Sequence, residues 1–112
     1  MPDAQTLIAS AMKEADLQRL VIELAEMLGY EVVHINDSRG QKAVGLPDLM
    51  LMRAPRPLVW LELKTEKGKA SPKQEWFLEE LRQSGNVAWV IRPTDWLNGM
   101  VERLLLAQDP GA

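Results

Sequence analysis

The sequence predicts an α/β domain with a mixed sheet flanked by helices, in the order α-β-β-β-α-β-α. Three observations carry this. Apolar residues recur at helical spacing in an early, a middle and a final segment. Short apolar runs bounded by Gly and Pro lie between those segments and read as strands. The middle helix separates the third and fourth strands, and a helical crossover of that kind joins strands that run parallel. At 112 residues the chain is long enough for one core without staples, so a single domain, 1–112, is expected.

Leu17, Leu20, Val21, Leu24, Ala25 and Leu28 recur at three and four, which predicts one helix over 9–28 stopped by Gly29. Glu14 falls one turn before Leu17 and so extends the apolar stripe. Two readings fit it: a carboxylate belonging to a site, or an acid in the frayed first turn, where negative charge suits the helix N-terminus. Tyr30 to Ile35 reads as the first strand and 36–44 as a polar loop holding Arg39 and Lys42. Asp48 to Met52 and Leu58 to Lys64 read as a hairpin about Ala54-Pro55-Arg56-Pro57. Thr65 to Ala70 is a basic turn. Ser71-Pro72-Lys73-Gln74 opens the middle helix as N-cap, N1 proline and capping-box glutamine. Gln74 also lies on the stripe of Phe77, Leu78 and Leu81, so it can cap the helix or face the sheet. After Gly85, Asn86 to Ile91 is nearly all apolar, as expected of a strand covered on both faces. Pro93 stops it. Thr94 or Asp95 is the expected cap of a last helix carrying Leu97, Met100, Val101, Leu104 and Leu105, with 108–112 frayed. The four tryptophans, Trp60, Trp76, Trp89 and Trp96, fall on four elements and read as core anchors and not as a base-stacking platform.

The hairpin carries charge where a core should not. Alternation puts Glu62 and Lys64 on one face, about 6–7 Å apart along the strand, with Leu61 and Leu63 on the other. Pairing Asp48 with Glu62 or Lys64 brings two carboxylates and an ammonium together. Carboxylates that close repel unless a cation lies between them, and oxygen ligands suit Mg²⁺ or Mn²⁺. The bland alternative is a solvated surface ion pair. There is no cysteine, and the lone His34 cannot build a zinc site, so any metal is held by oxygen. His34 itself reads as a structural or substrate-contacting residue. No Ser-His-Asp or Cys-His arrangement is available for covalent hydrolysis.

The net charge of −3 hides an asymmetry, because residues 39–73 hold eight Lys/Arg against three acids, a local balance of +5 that leaves −8 elsewhere. A basic segment around a carboxylate cluster suits a phosphate backbone. The other reading is ordinary loop lysines. No apolar run approaches 18 residues, so neither signal peptide nor membrane span is expected, and a cytoplasmic location follows.

Pro47-Asp48 followed by Glu62-Leu63-Lys64 resembles the signature of the PD-(D/E)XK nuclease superfamily. The preceding Gly45, Gln74 after Ser71-Pro72, and Val90-Ile91-Arg92-Pro93 resemble the VRR-NUC family within it, particularly its small stand-alone, bacterial or phage-type members. The resemblance spans roughly residues 13–97. It implies a restriction-endonuclease-like core and a Mg²⁺- or Mn²⁺-dependent DNA endonuclease acting on branched or flapped DNA, as Holliday-junction resolvases do. Asp48, Glu62, the Leu63 backbone carbonyl and Glu14 would hold metal, with Lys64 and Gln74 as further catalytic residues. Arg39, Lys42, Lys67, Lys69, Lys73 and His34 are the candidate DNA contacts. One domain has little surface to enclose a duplex, so a homodimer is expected. The alternative is a non-catalytic, structure-selective DNA-binding module on the same fold.

Overall fold

The computed structural model describes residues 3–35 and 44–107. Its elements are α1 (Ala4–Ala11), α2 (Glu14–Met27), β1 (Glu31–His34), β2 (Leu49–Met52), β3 (Val59–Leu63), α3 (Pro72–Gln83), β4 (Val87–Ile91), α4 (Pro93–Leu97) and α5 (Met100–Leu106). The four strands form one sheet in sequence order. β1–β2 and β2–β3 are antiparallel, while β3–β4 is parallel. The parallel step follows from α3, which crosses over between those two strands. The fold is the mixed α/β, restriction-endonuclease-like architecture that the sequence predicts.

The sheet pleat sorts the side chains. Leu49 pairs with Leu61, and Leu61 with Trp89, so these share one face. Leu17, Val21 and Ala25 of α2 and Val101 and Leu105 of α5 join the leucines of that face in a core with no exposed surface. Tyr30 closes its end, its hydroxyl donating to the Leu105 carbonyl at 2.8 Å. The opposite face carries Trp60 and Glu62, and α3 covers it through Leu78, which is 2% exposed.

Three expectations are corrected. The first helix is broken, because Met12 and Lys13 adopt extended backbone (ψ 128° and 155°), with Asp3 capping the Thr6 N–H of α1. The apolar repeat begins only at Leu17, so nothing in the stripe specifies a continuous helix before it. The last helix is broken too: Gly99 takes φ +80°, and Arg92 rather than Thr94 or Asp95 is the N-cap of α4, its N–H donating to Asp95 Oδ2 at 2.8 Å. Pro93 therefore starts a helix as much as it ends a strand. Finally, Trp76 and Trp89 are 50% and 45% exposed, so they are not core anchors, and β4 is an edge strand open at Trp89. Trp96 packs against the core, and Trp60 donates from Nε1 to Asn86 Oδ1 at 3.3 Å.

Gly29 ends α2 at φ +88° as expected, and Arg53 donates to the terminal Leu28 carbonyl. Among the described residues no helix is long and apolar enough to cross a membrane. Most of the polar loop after β1, with Arg39 and Lys42, and the tail after 107 lie outside the described residues.

Candidate metal centre

Asp48 lies one residue before β2. Continuing the Leu49–Leu61 register by one step brings it beside Glu62, and the Ile35 N–H donates to the Asp48 carbonyl at 2.8 Å, extending the ladder on its other side. Gly45, at φ +93°, makes the turn that delivers it. A Cβ there would lie 2.6 Å from Lys73 Cγ and 2.9 Å from both the Lys73 carbonyl and Phe77 Cδ2. That position has room for glycine alone, and it sets the turn directly against the start of α3. Pro47 is fully buried behind it.

Both acids are inside the protein, Asp48 at 6% and Glu62 at 2% exposure. Burying two carboxylates side by side is costly unless donors and cations compensate. Three compensating groups are in place. The Leu63 N–H donates to Asp48 Oδ2 at 2.8 Å, Gln74 Nε2 donates to Glu62 Oε2 at 3.0 Å, and Lys64 Nζ lies 3.3 Å from the same Glu62 oxygen. The solvated-pair reading of Glu62 and Lys64 thus fails: the Lys64 side chain is only 19% exposed, and that of Glu62 3%. Such a pair is screened weakly and coupled strongly.

Glu14 completes the cluster. The helix break makes it the first residue of α2, and one carboxylate oxygen each from Glu14, Asp48 and Glu62 lie within 4.8 Å of one another. Its side chain is exposed, not part of the buried stripe, yet it reaches the two buried acids from the N-terminal end of its helix. Three carboxylate oxygens so close make a donor set that could hold a hard divalent cation.

Gln74 serves both of its expected roles at once. Its Oε1 accepts the Ser71 N–H at 2.8 Å and its N–H donates to Ser71 Oγ at 3.1 Å, completing the capping box while Nε2 holds Glu62.

The basic residues divide into two groups. Lys67, Lys69 and Lys73 are exposed near the cluster's end of the sheet. The turn bearing Lys67 and Lys69 is held by Arg92, which donates to the Gly68 carbonyl at 2.8 Å, and by a very short hydrogen bond from the Thr94 hydroxyl to Glu66. Arg53 and Arg56 are half-buried and engaged by the fold instead, Arg53 on Leu28 and Arg56 5.6 Å from the Tyr30 ring centroid. The local charge of +5 thus overstates what faces outward. His34 is exposed but pairs with Leu49, so alternation points it to the Leu61 face, away from Glu62. The Leu63 N–H to Asp48 was not legible from spacing, since a backbone donor leaves no residue-type signal.

No family model matches the sequence, and no curated protein sequence matches it. A solved structure described as a VRR_NUC domain does match, at 27% identity and a TM-score of 0.65, over 82% of this chain and 97% of the other. The chain thus shares the fold of a VRR_NUC domain and resembles that nuclease family, with two buried acids and the exposed Glu14 brought together on it.

Proposed function

We propose that this chain is a Mg²⁺- or Mn²⁺-dependent nuclease that hydrolyses DNA phosphodiester bonds, with branched or flapped DNA as its substrate. The observation that carries this reading is the convergence of Glu14, Asp48 and Glu62 within 4.8 Å, with the Lys64 ammonium 3.3 Å from Glu62. Asp48, Glu62, Glu14 and the Leu63 carbonyl would hold the ion. When bound, it supplies Lewis acidity toward the phosphate and a more acidic water. Lys64 contributes fixed positive charge where a phosphate gains negative charge, and its position beside Glu62 keeps it there without reorganisation. Gln74 fixes the Glu62 carboxylate, so the donor set is oriented before substrate arrives. Lys67, Lys69 and Lys73 provide sequence-independent contacts to the DNA backbone. A second copy of the chain would supply the surface needed to enclose a duplex, which sedimentation tests directly.

The deciding experiment incubates labelled duplex, flapped and four-way DNA with the protein in Mg²⁺, in Mn²⁺ and in EDTA, beside Asp48→Asn and Lys64→Met. Cleavage that needs the divalent ion and both side chains supports the reading. Structure-selective binding without cleavage under any condition would replace it with the non-catalytic DNA-binding module.

A further inference from the structure

Trp76 stands half in water on α3, 50% exposed, although a ring of its size usually finds cover. It is nevertheless held in place. The Lys73 ammonium lies 4.5 Å from its ring centroid and 5.5 Å from that of Phe77, and the two rings meet edge to face at 5.0 Å with an interplanar angle of 79°. An exposed aromatic oriented by a cation on one side and a neighbouring ring on another has little rotamer freedom left to lose on binding. Gln74, the residue after Lys73, holds Glu62, and the Gly45 turn that delivers Asp48 packs on Lys73 and Phe77. Trp76, two residues on from Gln74, projects from another side of α3, within reach of a neighbouring nucleotide of the same strand.

We propose that Trp76 and Lys73 form a stacking subsite for one unpaired nucleobase of the strand whose phosphate enters the acidic cluster. The subsite rests on the reading of the chain as a DNA nuclease and adds to it a recognition element outside the metal centre. The flat ring accepts any base, because every base offers a π-face, while Lys73 meets the phosphate of the same strand. Bases inside a duplex have both faces covered by their neighbours, so only an unpaired or terminal base reaches Trp76. Selection for unpaired nucleotides near the cleaved bond then follows from one side chain.

The test compares wild type, Trp76→Ala and Trp76→Phe on a fully paired duplex and on the same duplex with unpaired nucleotides near the cleaved bond, one of them 2-aminopurine. Stacking quenches 2-aminopurine in the wild type, and Trp76→Ala abolishes the quench and raises KM roughly tenfold on the unpaired substrate alone, with kcat unchanged. Trp76→Phe, which keeps a ring, recovers most of both, and equal melting temperatures of the three proteins assign the effect to the ring itself. Equal KM for wild type and Trp76→Ala, or no quench in the wild type, overturns the subsite while leaving the nuclease reading intact. Unchanged DNA behaviour with a shift to smaller species in sedimentation also overturns it, making Trp76 a protein contact. Failure of the wild type to bind or cleave any DNA brings down the nuclease reading and the subsite with it.

Discussion

Gln74 donates from Nε2 to Glu62 Oε2 at 3.0 Å while its Oε1 accepts the Ser71 N–H at 2.8 Å, so one amide ties the start of α3 to the acid on β3. Gln74→Glu separates these two roles. A carboxylate still caps the helix, since Glu serves at this position of a capping box, but its other oxygen then confronts Glu62. In EDTA the variant should lose about 1–3 kcal/mol, the cost of turning a donor away from a buried acid. Divalent ion should restore more stability to it than to wild type, because a fourth carboxylate joins the cluster. Thermal melts with and without Mg²⁺ check this, and equal melts in EDTA would show that the Gln74–Glu62 bond carries no strain-sensitive contact.

Asp48 accepts the buried Leu63 N–H, and this changes what its substitution does. Asp48→Asn keeps an oxygen for that donor and removes one of three clustered charges, so in EDTA its stability should stay within about 1 kcal/mol of wild type. Asp48→Ala leaves the Leu63 N–H buried without an acceptor and should lose about 1–3 kcal/mol. Both should lack the increment that metal adds to wild type, about 1.4 kcal/mol at ten times its dissociation constant. Denaturation in EDTA and Mg²⁺ separates the charge from the hydrogen bond. An Asp48→Asn protein that still gains stability with Mg²⁺ would remove Asp48 from the metal set.

The strands and their faces were legible because alternation in Leu61-Glu62-Leu63-Lys64 is a local property, and the core face is set by it. The helix break at Met12-Lys13 was not, because the apolar repeat is silent before Leu17 and the break is fixed by where α1 and Met12 pack. The apolar stripe places Glu14 on a buried continuation of the helix face, whereas it approaches Asp48 and Glu62 as the exposed first residue of a new helix. The sequence lets Gln74 either cap the helix or face the sheet, and it does both, capping at Ser71 and donating to Glu62, since an amide offers separate donor and acceptor atoms. The core-anchor reading of Trp76 fails because it rests on the spread of the tryptophans over four elements. The stripe of Gln74, Phe77, Leu78 and Leu81 already leaves Trp76 off the side of α3 that the sheet covers. Arg53 and Arg56 look like any basic residue in the sequence, and only tertiary packing engages them with Leu28 and Tyr30.

Gly45 and Gly85 have nearly the same backbone, φ +93° and +90°, in very different surroundings. A Cβ at Gly85 meets nothing within 4 Å, so Gly85→Ala carries only the left-handed backbone cost, about 1–2 kcal/mol. At Gly45 the same Cβ falls 2.9 Å from the Lys73 carbonyl, which cannot rotate away. Gly45→Ala should add about 1–3 kcal/mol of overpacking to that backbone cost. It should also weaken metal binding, because relief of the clash moves the turn that carries Asp48. Urea denaturation of both variants and Mg²⁺ titration of Gly45→Ala test this, and equal stability losses would mean that the contact with α3 yields freely.

The two groups of basic residues should respond oppositely to substitution. Lys67 and Lys69 are exposed on a turn fixed by Arg92 and Thr94, whereas Arg53 donates to the carbonyl of Leu28, the C-cap of α2. If the turn meets phosphates, DNA affinity should fall roughly tenfold or more between 50 and 200 mM salt, and each of Lys67→Gln and Lys69→Gln should lower the slope of log K against log salt by about 0.9. Neither should alter the melting temperature appreciably, because exposed lysines contribute little to stability. Arg53→Gln should do the reverse, losing about 1 kcal/mol with an unchanged slope, since its charge is spent on the Leu28 carbonyl. Binding is measured by anisotropy on labelled DNA in the Asp48→Asn background, so that cleavage does not intervene. A slope indifferent to Lys67 and Lys69 would move the DNA path off this turn, and a slope that falls with Arg53→Gln would show that this arginine leaves the helix end to meet DNA.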